Sequence, residues 1–303
     1  MIAPLTVKVS TKQAPPLRGS MTCETAFRTA SAHYLQQLTA QHTGTVAGEV
    51  AALHAMRVAM TRLRTTIALF SPMIEGDEQV RLAAELKWLN AHLGIVRDLD
   101  VALERLAKIR HQPGVTERAW KQERAACQRH LTRALGSPRY RQLIRDLAAW
   151  VENGDWSRKR TKNAAERRAQ PADEYCAEKL KEWRKKLLKK SRKLDEVGAR
   201  KRHRVRLANK RLSYAIEAAE KLAPSSETPA REATLKLLRK AQKSLGQLND
   251  DARRRALAAA LGEHKIDESD LLLDAKQKKR LLRKAVNAYE ELAGLEPLKI
   301  ANG

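Results

Sequence analysis

The chain is poor in cysteine. Its 303 residues include three cysteines, Cys23, Cys127 and Cys176, which stand far apart in the sequence and form no C-x-x-C pair. A disulfide framework needs an even and dense set of cysteines, and a zinc ribbon needs closely paired ones. The sequence therefore argues against both, and this cysteine usage is typical of a protein in a reducing cytoplasm.

Glycine and proline are also scarce, with 13 and 10 residues, and they separate long segments of helical periodicity. The alternating β-branched runs that predict strands are not found after residue 20. No segment approaches the ~18 apolar residues of a membrane span, and the N-terminus lacks the apolar core of a signal peptide. These absences predict an all-α fold class and no transmembrane segment.

What the chain has in excess is positive charge. Its 60 Lys and Arg residues outnumber 35 Asp and Glu residues, so the formal net charge is +25. Such an excess repels itself unless an anion is bound, which predicts a polyanionic partner. The hydrophobic fraction of 43% is that of an ordinary globular protein, so the basic residues belong to a folded domain and not to a disordered tail.

Helical periodicity divides the chain into a tail, two halves and a linker. Residues 1–20 are expected to form a flexible tail, and residues 21–295 a domain with a first half (21–155), a linker (156–171) and a second half (172–295). The linker is polar and basic and ends in proline. The predicted helices are 21–42, 48–71, 77–110, 114–136 and 138–152 in the first half, and 172–197, 199–222, 227–262 and 268–293 in the second.

The segment LHAMRVAMTRLRTTIALF, residues 53–70, predicts a helix with two opposite faces at about 100° per residue. The apolar face consists of Met56, Met60, Leu63, Ile67 and Phe70. The cationic face consists of His54, Arg57, Arg62 and Arg64. A basic helix face taken alone is more often merely solvated than functional.

The cationic pattern recurs 149 residues later, in HRVRLANKRLSYAIEAAEKL, which begins at His203. The matching cations are His203, Arg206 and Arg211, and Lys210 stands where the first segment has Thr61. A face that is only solvated need not recur with its histidine in register. The repetition therefore favours a common function for the two helices.

A second motif repeats at a separation of 152 residues, in LKWLNAHLGIVRDLDVAL (86–103) and LRKAQKSLGQLNDDARRRAL (238–257). The first copy places Lys87, Gly94 and Asp98 on one helix face, next to Arg97, and the second copy places Arg239, Gly246 and Asp250 in the same way. A glycine inside a helix costs about 1 kcal/mol relative to alanine, so its reuse predicts a close approach by another helix or a ligand. The two aspartates are interpreted as partners of nearby arginines, with metal ligation as the alternative.

Four segments carry a family resemblance. They are H-x-x-R-x-x-x-x-R-L-R at 54–64, L-G-x-V-R-D-L-D at 93–100, H-R-x-R-x-x-x-K-R-L at 203–212 and L-G-x-L-N-D at 245–250. In this order they resemble the CHAD domain, the conserved-histidine α-helical domain, over about residues 21–295. The resemblance implies two four-helix bundles related by a pseudo-two-fold axis, with a basic groove or channel between them. Family members are often fused to a triphosphate-hydrolysing tunnel domain, whose acidic strand motif is missing here, so a stand-alone member is expected.

The resemblance also implies binding of inorganic polyphosphate and association with polyphosphate granules in the cytoplasm. Polyphosphate is a flexible linear polyanion without bases, which arginine binds by multi-pronged hydrogen bonds and lysine as a mobile charge. The expected polyphosphate-binding residues are His54, Arg57, Arg62, Arg64, Lys87, Arg97, His203, Arg206, Lys210, Arg211 and Arg239.

The segment EKLKEWRKKLLKKSRKL, residues 178–194, combines an apolar stripe with a lysine-rich remainder. Lys181, Lys185 and Lys189 are interpreted as secondary contacts that collect a polyanion. The alternatives are an anionic membrane surface and a helix whose basic side is only solvated.

Two other classes of function stay open at this point. A nucleic-acid-binding protein agrees with the charge, but aromatic residues make up only 4%, which leaves few rings for bases to stack on. A polyphosphate-processing phosphohydrolase or kinase needs a nucleotide-binding loop or a metal pair, and RDLD (97–100) is the one carboxylate cluster of interest. His54 and His203 each precede an arginine by three residues, which repels a metal ion. No metal, other cofactor or catalytic activity is therefore expected.

Overall fold

The computed structural model describes residues 21–108, 115–159, 161–222, 228–260 and 272–298. These residues form an all-α fold, and the described ranges contain no strand beyond one isolated bridge between Thr22 and Pro171. The predicted tail, residues 1–20, lies outside the described residues. No helix in the described ranges is long and apolar enough to cross a membrane.

The described residues of the first half form the five long helices that periodicity predicts, and two short ones that it does not. Helix α7 begins after Ser137, whose hydroxyl accepts the Tyr140 N–H at 3.2 Å, and Pro138 occupies its first turn. The helices are α1 (Cys23–Ala40), α2 (His42–Val46), α3 (Val50–Leu69), α4 (Ser71–Ile74), α5 (Asp77–Ala107), α6 (Val115–Gly136) and α7 (Pro138–Asn153).

The segment predicted as the linker, 156–171, is largely helical in its described residues. It holds most of α8 (Asp155–Arg158) and all of α9 (Lys162–Ala169). Trp156 is buried against the first half and donates its indole N–H to the Trp150 carbonyl at 2.7 Å. The connection between the halves therefore packs on the first half through Trp156.

The end of this segment is paired with the beginning of α1. The Cys23 N–H donates to the Gln170 carbonyl, and the Ala172 N–H donates to the Met21 carbonyl, both at 2.9 Å. Because these bonds join residues 147 and 151 positions apart, they fix the start of the second half next to the start of the first.

The second half contains α10 (Ala172–Ser191), α11 (Ala199–Leu222), α12 (Thr228–Ala260) and α13 (Ala275–Gly294). The predicted helix 172–197 is wrong at its end, because Lys193 adopts a φ of 57°, in the left-handed region that terminates helices. The predicted helix 268–293 begins at Ala275, and its residues 268–271 lie outside the described ranges.

The core is continuous from one half to the other. In the first half, the Phe27 ring makes edge-on contacts with Phe70, Trp150 and Trp156, with centroids 5.1 to 5.9 Å apart. The same cluster of buried apolar side chains continues through α10, α11, α12 and α13. The apolar faces of the two halves therefore share one core.

The helices that carry the repeated motifs meet between the halves. Helix α3 packs on α11, and α5 packs on α12, while α3 also packs on α5 and α11 on α12. The four motif helices therefore form one group at the interface of the halves. A pseudo-two-fold relation, a division into two four-helix bundles and a groove remain predictions.

Candidate functional site

Helix α3 is oriented by its apolar face. Met56, Met60 and Leu63 are fully buried, as the periodicity predicts. Burial of three large side chains contributes several kcal/mol, roughly 1.5–3 kcal/mol each, and fixes the rotation of the helix. His54 and Arg64 are consequently exposed, and Arg57 and Arg62 are half-buried at the edge of the core.

Helix α11 is oriented in the same way, with a polar anchor in addition. The buried Asn209 donates its amide N–H to the Leu238 carbonyl of α12 at 3.0 Å and accepts the Tyr289 hydroxyl of α13 at 3.1 Å. This anchor leaves Arg206 and Lys210, one turn apart, half-buried on the side that faces the first half.

The structure brings cations of the two halves together. The charge of Arg57 acts on Arg206 and Lys210 of α11 and on Arg253 of α12, and Lys210 also acts on His54. Arg97 of α5 acts on both His54 and Arg57. We call this group the central cluster: His54, Arg57, Arg97, Arg206, Lys210 and Arg253.

Burial and mutual repulsion disfavour the charged forms in the central cluster. Burial is the largest cause that lowers the pKa of Lys210 to about 8, followed by the charges of Arg206 and Arg57. Burial also lowers the pKa of Arg57 and of Arg206. It lowers the pKa of His54 as well, and Arg97, Arg57 and Lys210 act in the same direction. An anion placed among these side chains would relieve both effects.

Two carboxylates at matching positions of the repeat lie within this group of charges. Asp98 of α5 forms an ion pair with Arg253 of α12, across the interface of the halves. Burial raises the pKa of the Asp98 carboxyl, against the opposing effect of Arg253 and Arg57. The charge of Asp250 acts on Arg206 and on Lys210. The interpretation as a partner of an arginine is therefore confirmed for Asp98, whereas Asp250 makes no ion pair with an arginine in the described ranges.

Arg253 is a member of the cluster that the sequence reasoning missed. It follows Gly246 by seven residues and Asp250 by three, so it lies on the helix face of the repeated motif. The signal was present in NDDARRR, but the first copy of the motif has no cation at the matching position.

A pocket of about 320 Å³ adjoins the central cluster between α5 and α12. Its lining includes Asp98, Asp250 and Arg253, together with Ile95, which is 54% exposed. The charges at this end of the interface therefore border open space and are not sealed in the core.

The two repeated glycines have different surroundings. A Cβ built on Gly94 would lie 3.3 Å from Arg57 Nη1, which donates to the Leu93 carbonyl at 3.1 Å. This glycine therefore lets an arginine of α3 reach the backbone of α5. A Cβ built on Gly246 would meet no atom of the described residues within 4 Å, so no helix in the described ranges makes the expected close approach at the second copy.

Arg62 has a structural task that its sequence position did not reveal. Its Nη2 donates to Glu217 Oε2 of α11 at 3.3 Å, and its guanidinium lies over the rings of Tyr34 and Tyr214. Four side chains from α1, α3 and α11 thus hold the halves together. Arg62 is therefore occupied by protein partners.

Arg64 and Arg211 form a second pair of cations across the interface. Both residues are exposed overall. Partial burial of the Arg64 guanidinium is the larger cause that lowers its pKa, and the charge of Arg211 is the smaller one. Arg211 lies over the Trp183 ring of α10 at 5.6 Å. In the described part of the chain, neither guanidinium has a carboxylate partner.

His203 lies beside the cluster and is tied to α12. Its Nδ1 is 2.7 Å from Asn249 Oδ1, an acceptor, so Nδ1 donates the hydrogen bond. Asn249 in turn donates its amide to Asp250 Oδ1 at 3.4 Å. This short chain of polar groups connects the second histidine to the carboxylate of the repeated motif.

The remaining predicted contacts are exposed and stand apart from the cluster. Lys87 on α5 and Arg239 on α12 make no hydrogen bond or ion pair with any residue in the described ranges. Lys181, Lys185 and Lys189 are exposed on α10, whose Leu180 and Leu187 are buried. The structure therefore does not join these five side chains to the central cluster.

The carboxylates of RDLD are used by arginines. Asp98 pairs with Arg253, and the buried Asp100 accepts from Arg124 Nε at 2.9 Å. Arg124 also donates to the Gly48 carbonyl at 2.8 Å, so Asp100 helps to hold the loop before α3. Among the described residues, no three His, Cys, Asp or Glu side chains are grouped so that they could hold a metal ion.

Comparison with known proteins agrees with this architecture. The chain is similar to the crystal structure of the CHAD domain from the plant Ricinus communis, with a TM-score of 0.73, 24% identity, and coverage of 95% of this chain and 96% of that one. It is also similar to PptA from Streptomyces chartreusis, with a TM-score of 0.55, 16% identity and coverage of 91% and 96%. Likeness at these identities establishes the fold. No curated protein matches the chain.

The family model of the CHAD domain matches residues 29–259. This match spans the cationic segments of α3 and α11 and both copies of the glycine-aspartate motif. The chain therefore belongs to the CHAD domain family.

Proposed function

We propose that this protein binds inorganic polyphosphate, without transforming it, along the interface of its two halves. The observation that carries the proposal is the packing of α3 on α11, where burial, followed by the charges of Arg206 and Arg57, lowers the pKa of Lys210. Holding like charges together destabilises the free protein, and a ligand that places negative charge between them removes this repulsion. A linear chain of phosphates brings several charges along one line.

Polyphosphate suits this site better than nucleic acid does. A single strand needs exposed rings on which its bases stack. Tyr34 and Tyr214, which lie near the interface, are already covered by Arg62. Family membership supports the same ligand, because the resemblance to CHAD domains implies polyphosphate binding. Single-stranded RNA is the competing ligand that an experiment must exclude.

The use of carboxylates favours a binding protein over a hydrolase or kinase. Asp98 and Asp100 both accept from arginines of neighbouring helices, Arg253 and Arg124. A carboxylate so engaged is poorly placed to act as a general base or metal ligand. An assay for orthophosphate release from the bound polymer tests this part of the proposal.

The direct test is a competition for the protein between long-chain polyphosphate, single-stranded RNA, duplex DNA and orthophosphate at matched phosphate concentration. We expect long-chain polyphosphate to bind tightest, with an affinity that falls steeply as salt increases, because neutralising many phosphates releases many counterions. Equal affinity for RNA would favour a nucleic-acid-binding function. A flat salt response would indicate a small discrete phosphate site.

We infer in addition that the protein associates with polyphosphate granules in the cytoplasm. A fluorescently labelled chain should form foci in cells that store polyphosphate, and the foci should disperse when polyphosphate synthesis is blocked. Foci that persist without the polymer would contradict this inference.

A further inference from the structure

We propose, on the basis of the proposed function, that Asp98 and Asp250 are specificity-determining residues that a polyphosphate chain must displace. They act as internal counter-anions of the central cluster, and by competing with ligands they raise the number of phosphates needed for binding.

The placement of the two carboxylates carries this proposal. Asp98 pairs with Arg253, and its charge also acts on Arg57 and Arg206. Asp250 acts on Arg206 and Lys210. Each half thus contributes one carboxylate from the matching position of the repeat. Asp98 acts on cations of both halves, and Asp250 acts on cations of its own half.

The Asp98–Arg253 pair is accessible to a ligand. Its side chains are 36% and 42% exposed, and they border the pocket between α5 and α12. An exposed ion pair contributes little to stability. A ligand therefore needs only a small gain in binding free energy to separate the two charges. A polyphosphate chain that contacts the whole cluster offsets this loss by its other contacts. Orthophosphate, which reaches one or two cations, offsets little of it.

Removing either carboxylate should therefore improve binding. Asp98→Asn frees Arg253, and we expect the affinity for long-chain polyphosphate and for tripolyphosphate to rise about three- to tenfold. The salt dependence should become steeper, by up to about one unit in the slope of log affinity against log salt, because one more cation neutralises a phosphate. The shortest chain that binds measurably should become shorter.

The control and the second variant make the test decisive. Asp146→Asn removes a carboxylate that pairs with Arg81 between α7 and α5, and it should leave affinity and slope unchanged. Asp250→Asn should act like Asp98→Asn without breaking an ion pair, since Asp250 makes none within the described ranges. It keeps the test valid if Asp98→Asn fails to fold by circular dichroism.

Isothermal titration at several salt concentrations supplies both readouts. Weaker binding by the two variants would overturn the proposal, because the carboxylates would then position the arginines for the ligand. Unchanged affinity and slope would also overturn it, since the carboxylates would lie outside the path of the chain. Failure of the unmodified protein to bind polyphosphate is a separate result, which contradicts the proposed function itself.

Discussion

Arg62 of α3 pairs with Glu217 of α11, whereas Arg211, its counterpart in the repeat, has no such partner within the described residues. Both guanidinium groups lie over an aromatic ring, that of Tyr34 for Arg62 and that of Trp183 for Arg211, and these rings are themselves 149 positions apart. Both copies of the repeat therefore have an arginine over an aromatic ring, but among the described residues only the arginine of the first copy, Arg62, also has a carboxylate partner. One arginine holds the halves together, and the other is available to a ligand.

Replacing each of these arginines by methionine separates the two roles. Arg62→Met removes an ion pair and two cation–π contacts, so we expect the free energy of unfolding to fall by about 1–3 kcal/mol. Arg211→Met should change it by less than about 1 kcal/mol and should weaken polyphosphate binding several-fold. Urea denaturation and binding titrations measure the two effects. Equal losses of stability would show that the Glu217 contact contributes nothing.

A shared site makes a distinct prediction for Arg57 and Arg206. In a shared site one polyphosphate chain contacts both residues, so Arg57→Gln and Arg206→Gln should each weaken binding of a polymer of defined length, by about five- to tenfold, at unchanged stoichiometry. Arg145→Gln, on the exposed side of α7, is the matched control and should have little effect. Two independent sites would behave differently: each variant would keep the normal affinity at half the stoichiometry.

The sequence predicted the helices and the facing cations for physical reasons that are local. Long periodic segments with few glycines and prolines specify helices, and the apolar stripe that includes Met56 and Leu212 decides which side of each motif helix is buried. Because α3 and α11 have the same spacing of apolar and cationic positions, each presents its cations at the same angle from its buried side. The position of His54, Arg57, Arg206 and Lys210 follows from this.

What the sequence could not predict depends on contacts between distant residues. The pairing of Arg62 with Glu217 joins positions 155 residues apart, and so does that of Arg253 with Asp98. No periodicity reports which basic residues find an acid across an interface. For the same reason a run of identical cations did not single out Arg253 as the one that faces Asp98.

The central cluster should make binding sensitive to alkaline pH. Lys210 has its pKa lowered to about 8, and a bound phosphate must raise it, so protons are taken up on binding above that pH. Affinity should fall at most tenfold per unit above pH 8. The charged groups around Lys210 are His54 and Arg57 of α3, Arg206 of α11, and Asp250 and Arg253 of α12.

Titrations of long-chain polyphosphate at constant ionic strength between pH 6.5 and 9.5 measure this dependence. Lys210→Arg keeps its charge over the whole range, so its affinity should lose the decline above pH 8. The same decline in both proteins would assign the titration to another group.

The same lysine should reduce the stability of the free protein. Its pKa is about 8 in the folded state and 10.5 without burial, so between these values the unfolded chain binds more protons, and stability contributed by this group rises with pH. At pH 7 the charged Lys210 is held at a cost, and Lys210→Met should raise the free energy of unfolding by about 1 kcal/mol or more. The gain should shrink towards pH 10, where the wild-type lysine is largely neutral in the folded state. Lys189→Met, on the exposed side of α10, should change stability little at either pH.

Polyphosphate binding by Lys210→Met should weaken at pH 7 even though the protein is more stable, because the charge that destabilises the free cluster is the charge that the ligand uses. A Lys210→Met protein that is less stable at pH 7 would mean that Lys210 makes a favourable contact in the free protein. That result would contradict the claim that the charge of Lys210 destabilises the free protein until an anion binds.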